Sequence, residues 1–244
     1  MTGKYFYHMK KNSRDFCALA LDNVSSLQEI KKLVHSTAPS IGVFKVGLEQ
    51  FTRFGTTALE IVRAADRRIF LDLKFHDIPN TVGKAVESAC ELGVDYLTIH
   101  TTGGITMMRA AKHAAEKHAN APKIIGVTVL TSIDEACLQN ELRVCLSPVD
   151  YVRHLAGCAV RAGLDGIVCS AADLPVVKPL LPDLFEVITP GIRPAGTSAH
   201  DQKRIATPHD ALKNGATLLV LGRAVTDADD PGNAAEKILA SLKL

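Results

Sequence analysis

Ile69-Phe70-Leu71-Asp72-Leu73-Lys74-Phe75-His76-Asp77-Ile78-Pro79-Asn80-Thr81 begins as an apolar strand and turns polar as it ends. Residues 69–73 have the make-up of a buried strand, yet they carry Asp72, and Lys74 follows directly. Strand side chains alternate between two faces, so Asp72 and Lys74 are expected on one side. An ion taken out of water is costly unless a partner compensates it in place. Two readings fit this stretch alone. It is a structural ion pair at a strand end, or a reactive pair delivered to a pocket.

The surrounding chain separates the two readings. Further strand-like runs occupy 16–21, 41–46, 96–100, 124–130, 166–170, 185–189 and 217–221. With 69–73 they make eight, each nearly continuous in apolar residues, the pattern of parallel strands covered on both faces. Amphipathic stripes lie between them. Leu27, Ile30, Leu33 and Val34 form one, Val149, Val152, Leu155, Ala156 and Ala159 another, and Ala235, Ile238, Leu239 and Leu242 the last. Alternating strands and helices imply right-handed crossovers in a parallel sheet. Eight such units in 244 residues predict an α/β fold of the (β/α)₈ TIM-barrel type, one domain over residues 1–244. A doubly wound open sheet is the alternative, but no G-x-G-x-x-G follows the first strand.

A chain that is 47% hydrophobic can fill one large core, and a net charge of +2 gives no reason to expect a nucleic-acid or membrane surface. No apolar run has membrane-spanning length. The basic residues before Asp15 lack an apolar core segment, so a signal peptide is not expected and a cytoplasmic location is. None of the six cysteines forms a C-x-x-C pair, and Cys17 and Cys169 read as small core residues in a reduced compartment. The nine histidines show no helical metal spacing, so no metal is expected.

In a barrel of this type the active site lies at the C-terminal ends of the strands. The polar residues there are Asp22, Lys45, then Asp72, Lys74 and Asp77, then His100, Thr131 with Ser132, and Ser170. Gly191 and Arg193 follow the seventh strand, and Gly222 and Arg223 the eighth. Loops after those two strands often bind phosphate: glycine admits the ligand to backbone amides, and guanidinium binds it through parallel hydrogen bonds. One Gly-Arg turn would be ordinary; two after these strands favour a phosphate site. Several residues keep plainer readings. His100 suits a strand-end hydrogen bond and His76 a supporting role. Thr131 and Ser132 suit strand termination or capping, and Asp22 equally suits the cap of a helix near Ser25. Residues 194–203 form the most polar, least periodic piece and read as a lid-like loop.

With these positions assembled, the chain resembles the orotidine 5′-monophosphate decarboxylases of the bacterial type. The strongest element is Asp72 through Thr81, DLKFHDIPNT. Ala20-Leu21-Asp22, Phe44-Lys45-Val46-Gly47, Val129-Leu130-Thr131-Ser132, Thr189 through Pro194, Asp201-Gln202 and Leu221-Gly222-Arg223 follow in the family's order. The D-x-K-x-x-D core is less specific, since related barrel enzymes acting on sugar phosphates share it and use it with a metal. The resemblance implies conversion of orotidine monophosphate to uridine monophosphate, the last step of de novo pyrimidine synthesis, without a cofactor. It also implies a homodimer in which Asp77 and Thr81 serve the neighbouring site. Lys74 would stabilise the C6 carbanion and supply its proton, in a charge network with Lys45, Asp72 and the partner-derived Asp77. Asp22 and Lys45 would hold ribose hydroxyls. Thr131, with or without Ser132, would meet the pyrimidine, and Ile78 would join the substrate contacts. Arg193, Gln202, Gly222 and Arg223 would hold the phosphate.

Overall fold

The computed structural model describes residues 12–193 and 206–242. Eight parallel strands close into a barrel in sequence order: β1 (Cys17–Ala20), β2 (Val43–Gly47), β3 (Arg68–Phe75), β4 (Tyr96–His100), β5 (Lys123–Val127), β6 (Gly166–Val168), β7 (Glu186–Thr189) and β8 (Leu218–Leu221). β8 pairs back onto β1, so no strand edge is left open. The helices α1 (Leu27–Thr37), α2 (Leu48–Phe54), α3 (Thr57–Ala64), α4 (Pro79–Glu91), α5 (Gly104–Glu116), α6 (Pro148–Ala162), α7 (Leu174–Val177), α8 (Pro208–Lys213), α9 (Arg223–Thr226) and α10 (Pro231–Ala240) fall between and after the strands. The predicted (β/α)₈ barrel is the fold observed.

The continuous apolar strands have two destinations. Cys17, Leu19, Phe44, Leu71, Leu97, Ile124 and Ile167 pack outward with the helices. Ala18, Val43, Phe70, Tyr96, Ile125, Ile188 and Leu218 form a separate buried layer inside the barrel. Period two then sets what lies one step further along each strand. Ala18 leads to Ala20, Val43 to Lys45, Phe70 to Asp72, Tyr96 to Thr98 and Leu218 to Val220. Charge thus enters the interior one layer above an apolar floor. Below that floor, at the N-terminal mouth, Arg68 donates to the Tyr96 hydroxyl at 2.9 Å and pairs with Asp15 at 3.1 Å, while Lys123 pairs with Glu186.

Several sequence expectations shift in detail. β3 extends to Phe75, so Asp72 and Lys74 lie within the strand and not at its end. They share a side, but not through simple alternation. Leu71 pairs with Leu97 and Phe75 with Ile99, so β3 carries two more residues than β4 across that interval. Lys74 takes up this bulge with a φ of +50°. Bulges re-aim side chains, and a non-glycine residue in the left-handed region is uncommon, more so inside a strand. β5 ends at Val127 because Thr128 closes the ladder, its N–H and hydroxyl both donating to the Val168 carbonyl, at 3.2 and 2.8 Å. Thr131 and Ser132 therefore form an exposed turn beyond the strand. Asp22 does not cap α1; Ser26 does, accepting from the Glu29 amide at 3.2 Å.

The stripes of α1 and α6 face the core except at Val149, which is 41% exposed in the first turn after Pro148. In the last stripe Ala235 and Ile238 are buried in α10, and Leu242 is buried past its end. All six cysteines are unpaired thiols, and burial pushes Cys17 up to about 12. Among the described residues no helix is long and apolar enough to cross a membrane.

Candidate active site

Above the apolar floor lies a cavity of about 630 Å³, within the range typical of small-molecule sites. Asp22, Lys45, Asp72, Lys74, Thr131, Arg193, Gly222 and Arg223, all singled out from sequence, line it. The acids and bases form one row. Lys45 Nζ lies 3.0 Å from both carboxylate oxygens of Asp22 and 3.4 Å from Asp72 Oδ2. Lys74 Nζ reaches the same Asp72 oxygen at 2.8 Å. The order is acid, base, acid, base.

Asp72 is the most constrained member. Burial acts to raise its pKa. The Lys45 and Lys74 ammoniums, with hydrogen bonds from Lys74 and Thr98, outweigh that and hold it below the usual carboxylate range. It is therefore an anion at neutral pH. Gly47, closing β2, leaves room for the row. A Cβ there would stand 2.9 Å from Asp22 Oδ1 and 3.0 Å from Lys45 Nζ. Any larger residue would push the pair apart, which gives the Lys45-Val46-Gly47 sequence a local reason.

On the far side of the cavity two turns contribute arginines. Gly191 has a φ of +76°, turning the chain so that Pro190, Gly191 and Arg193 all face the cavity. Arg193 is buried, and its amide donates to the Ala206 carbonyl at 3.0 Å. Gly222 precedes α9 and has open space where a Cβ would be, and Arg223 and Ala224 follow it along the wall. Val127, Val129, Val168, Ile188 and Val220 supply an apolar side between the charged row and these turns.

Asp77, Ile78 and Thr81 are not among the cavity-lining residues of their own chain. Asp77 is exposed and accepts the Ile78 amide at 2.6 Å, and Ile78, 65% exposed, precedes Pro79 at the start of α4. Ser132 does not line the cavity. Ser170 does, but its hydroxyl is committed to Asp173 at 2.6 Å. His100 ends β4 and stacks obliquely on His76, ring centroids 5.5 Å apart. Burial, then His76 and Lys74, lowers its pKa, so it is neutral at pH 7. Gln202 and the 194–203 loop lie outside the described residues. Among the described residues no group of three or more His, Cys, Asp or Glu side chains is placed to hold a metal ion.

The sequence reading passed over Thr98 and Asn23. Asn23 lines the cavity beside Asp22, with a φ of +62°. Thr98 lies beside Asp72 in the row's own layer, fully buried. Its signal was present: one polar residue in Tyr96-Leu97-Thr98-Ile99, two positions from the inward-facing Tyr96.

Comparison with known proteins points one way. Residues 17–238 match the family described as Orotidine 5'-phosphate decarboxylase / HUMPS. The chain is 42% identical over 241 residues to an orotidine 5'-phosphate decarboxylase of Moorella thermoacetica, covering 97% of this chain and 95% of that one. It is 45% identical over 224 residues to that of Nitrosococcus oceani, covering 92% and 96%. Among solved structures, the orotidine 5'-phosphate decarboxylase of Lactobacillus acidophilus superposes with a TM-score of 0.82 at 33% identity, covering 93% of this chain and 99% of that one.

Proposed function

Because the chain belongs to the Orotidine 5'-phosphate decarboxylase / HUMPS family, we propose that it converts orotidine 5′-monophosphate to uridine 5′-monophosphate, the last step of de novo pyrimidine synthesis, without a cofactor. The observation that carries this reading is the row Asp22–Lys45–Asp72–Lys74 at one side of a cavity bounded elsewhere by two Gly-Arg turns. A nucleotide has matching ends: a phosphate for the turns, ribose hydroxyls for Asp22 and Lys45, and a base whose reacting carbon falls near Lys74.

Loss of carbon dioxide from C6 leaves a lone pair in the plane of the pyrimidine ring, orthogonal to its π system. It cannot spread as an enolate would. Stabilisation must come from a charge already in place, and an ammonium is suited to it. Lys74 is that group and then supplies the proton to C6. Asp72 holds the ammonium in position through the 2.8 Å contact. Asp77 of the partner subunit extends the alternation by one acid, and Thr81 of the partner subunit joins it near the ribose. Ile78 sits beside them. This makes the functional unit a homodimer of single-domain barrels. Thr131 meets the pyrimidine edge, and Arg193, Gly222 and Arg223, with Gln202, take the phosphate. Six free thiols suit a reduced cytoplasmic setting.

The test is ultraviolet absorbance of the purified protein mixed with orotidine monophosphate in the presence of EDTA. Falling substrate absorbance with formation of uridine monophosphate is expected. No change with a folded, dimeric sample would discard the reading in favour of metal-dependent chemistry on sugar phosphates.

The phosphate lies far from the reacting carbon, yet binding energy gained there can be spent on closing the site and excluding water. Arg223→Ala is therefore expected to lower kcat/KM roughly 10- to 100-fold, the cost of a charge-assisted pair, with the reacting groups untouched. Steady-state kinetics check this, and unchanged values in a folded variant would remove Arg223 from the phosphate site.

A further inference from the structure

Thr98 touches both halves of the reacting ion pair. Its Oγ1 lies 2.9 Å from Asp72 Oδ1 and 2.9 Å from the Lys74 amide nitrogen. The proton directions follow from chemistry alone. The amide can only donate, so the hydroxyl accepts from Lys74 and gives its single proton to the carboxylate. Asp72 is thereby gripped at both oxygens: Oδ1 by Thr98, Oδ2 by Lys74 and Lys45. The Lys74 amide is held at the residue that takes the left-handed backbone of the β3 bulge. With ladder pairing interrupted there, an unsatisfied buried amide would be costly, and the Thr98 oxygen supplies its acceptor.

We propose that Thr98 is a positioning residue for the decarboxylation: one hydroxyl sets the angle of the Asp72 carboxylate and pins the backbone from which Lys74 projects. The inference rests on the proposed function, since it concerns how the reacting ammonium is aimed. Thr98 itself does not line the cavity and acts only through Asp72 and Lys74. A side chain aimed by a rigid second residue holds its geometry through the reaction, and displacements of an ångström are costly to rate.

The experiment compares Thr98→Val, which keeps the shape and loses the hydroxyl, with Thr98→Ser, which keeps the hydroxyl. Thr98→Val is expected to lower kcat roughly 10- to 100-fold, the range for a lost hydrogen bond to a charged group, with KM nearly unchanged. Thr98→Ser is expected to stay within about threefold of the parent, because its hydroxyl can make both bonds. Losing the donated bond also removes one cause of the depressed Asp72 pKa. The carboxylate then protonates at higher pH, and its titration, followed by carbon NMR, moves upward in Thr98→Val and not in Thr98→Ser. Equal kcat in Thr98→Val and the parent, or equal damage in both variants, would overturn the proposal. Should Thr98→Val fail to fold, Thr98→Ala replaces it in the same comparison with serine. If the parent protein does not turn over orotidine monophosphate, the functional reading has failed instead. The Asp72 titration then still decides whether Thr98 governs that carboxylate.

Discussion

Lys74→Ala is expected to abolish nearly all turnover, a loss of roughly 10⁴-fold or more, since the proposed role of Lys74 combines charge stabilisation with proton delivery. The fold should survive. Removing one partner of a buried pair is usually harmful because it strands the other charge. Here Asp72 keeps Lys45 at 3.4 Å and the Thr98 hydroxyl at 2.9 Å, so it remains compensated. The substitution sits on a half-buried residue at the mouth of the barrel, away from the apolar floor. Circular dichroism and thermal melting should match the parent closely while product formation falls to background. Substantial activity in a folded Lys74→Ala protein would take the reacting role away from this residue.

The second large effect is a recovery. Lys74→Ala and Asp77→Ala should each be inactive alone. When equal amounts are mixed and allowed to exchange subunits, half the dimers are mixed, and each mixed dimer has one site with both residues intact. With the proposed homodimer and its shared sites, about a quarter of the parent activity should return. The position of Asp77 motivates this test. It is exposed, absent from the cavity of its own chain, and followed by an exposed Ile78. No recovery after subunit exchange has been verified would place Asp77 in the site of its own chain.

Much of this was legible in the sequence, for identifiable reasons. The eight apolar runs announced the barrel because parallel strands buried on both faces leave no polar alternation to confuse with helix. Lys45, Asp72 and the Gly-Arg turns were legible because a charge inside an apolar strand, or a bare glycine after one, has few structural excuses. What escaped depends on register. The bulge that turns Lys74 to φ +50° involves the pairing of β3 with β4, a step of four residues against two, and no local pattern encodes it. The end of β5 was misjudged because Thr128-Val129-Leu130 continues an apolar, β-favouring run, while the actual stop is the bond from Thr128 to the Val168 carbonyl. Thr98 escaped because a threonine is at home in any strand. Only its neighbours in space distinguish it.

The apolar floor has a consequence for traffic. Ala18, Val43, Phe70, Tyr96, Ile125, Ile188 and Leu218 are each no more than 2% exposed, and they seal the barrel between the charged row and the N-terminal mouth. Among the described residues the cavity is closed toward the N-terminal mouth. Water expelled by an arriving nucleotide, the gas released from it and the spent nucleotide then leave on the side by which the substrate came in. Arrival and departure compete for the same end of the barrel, and whatever stands there governs both.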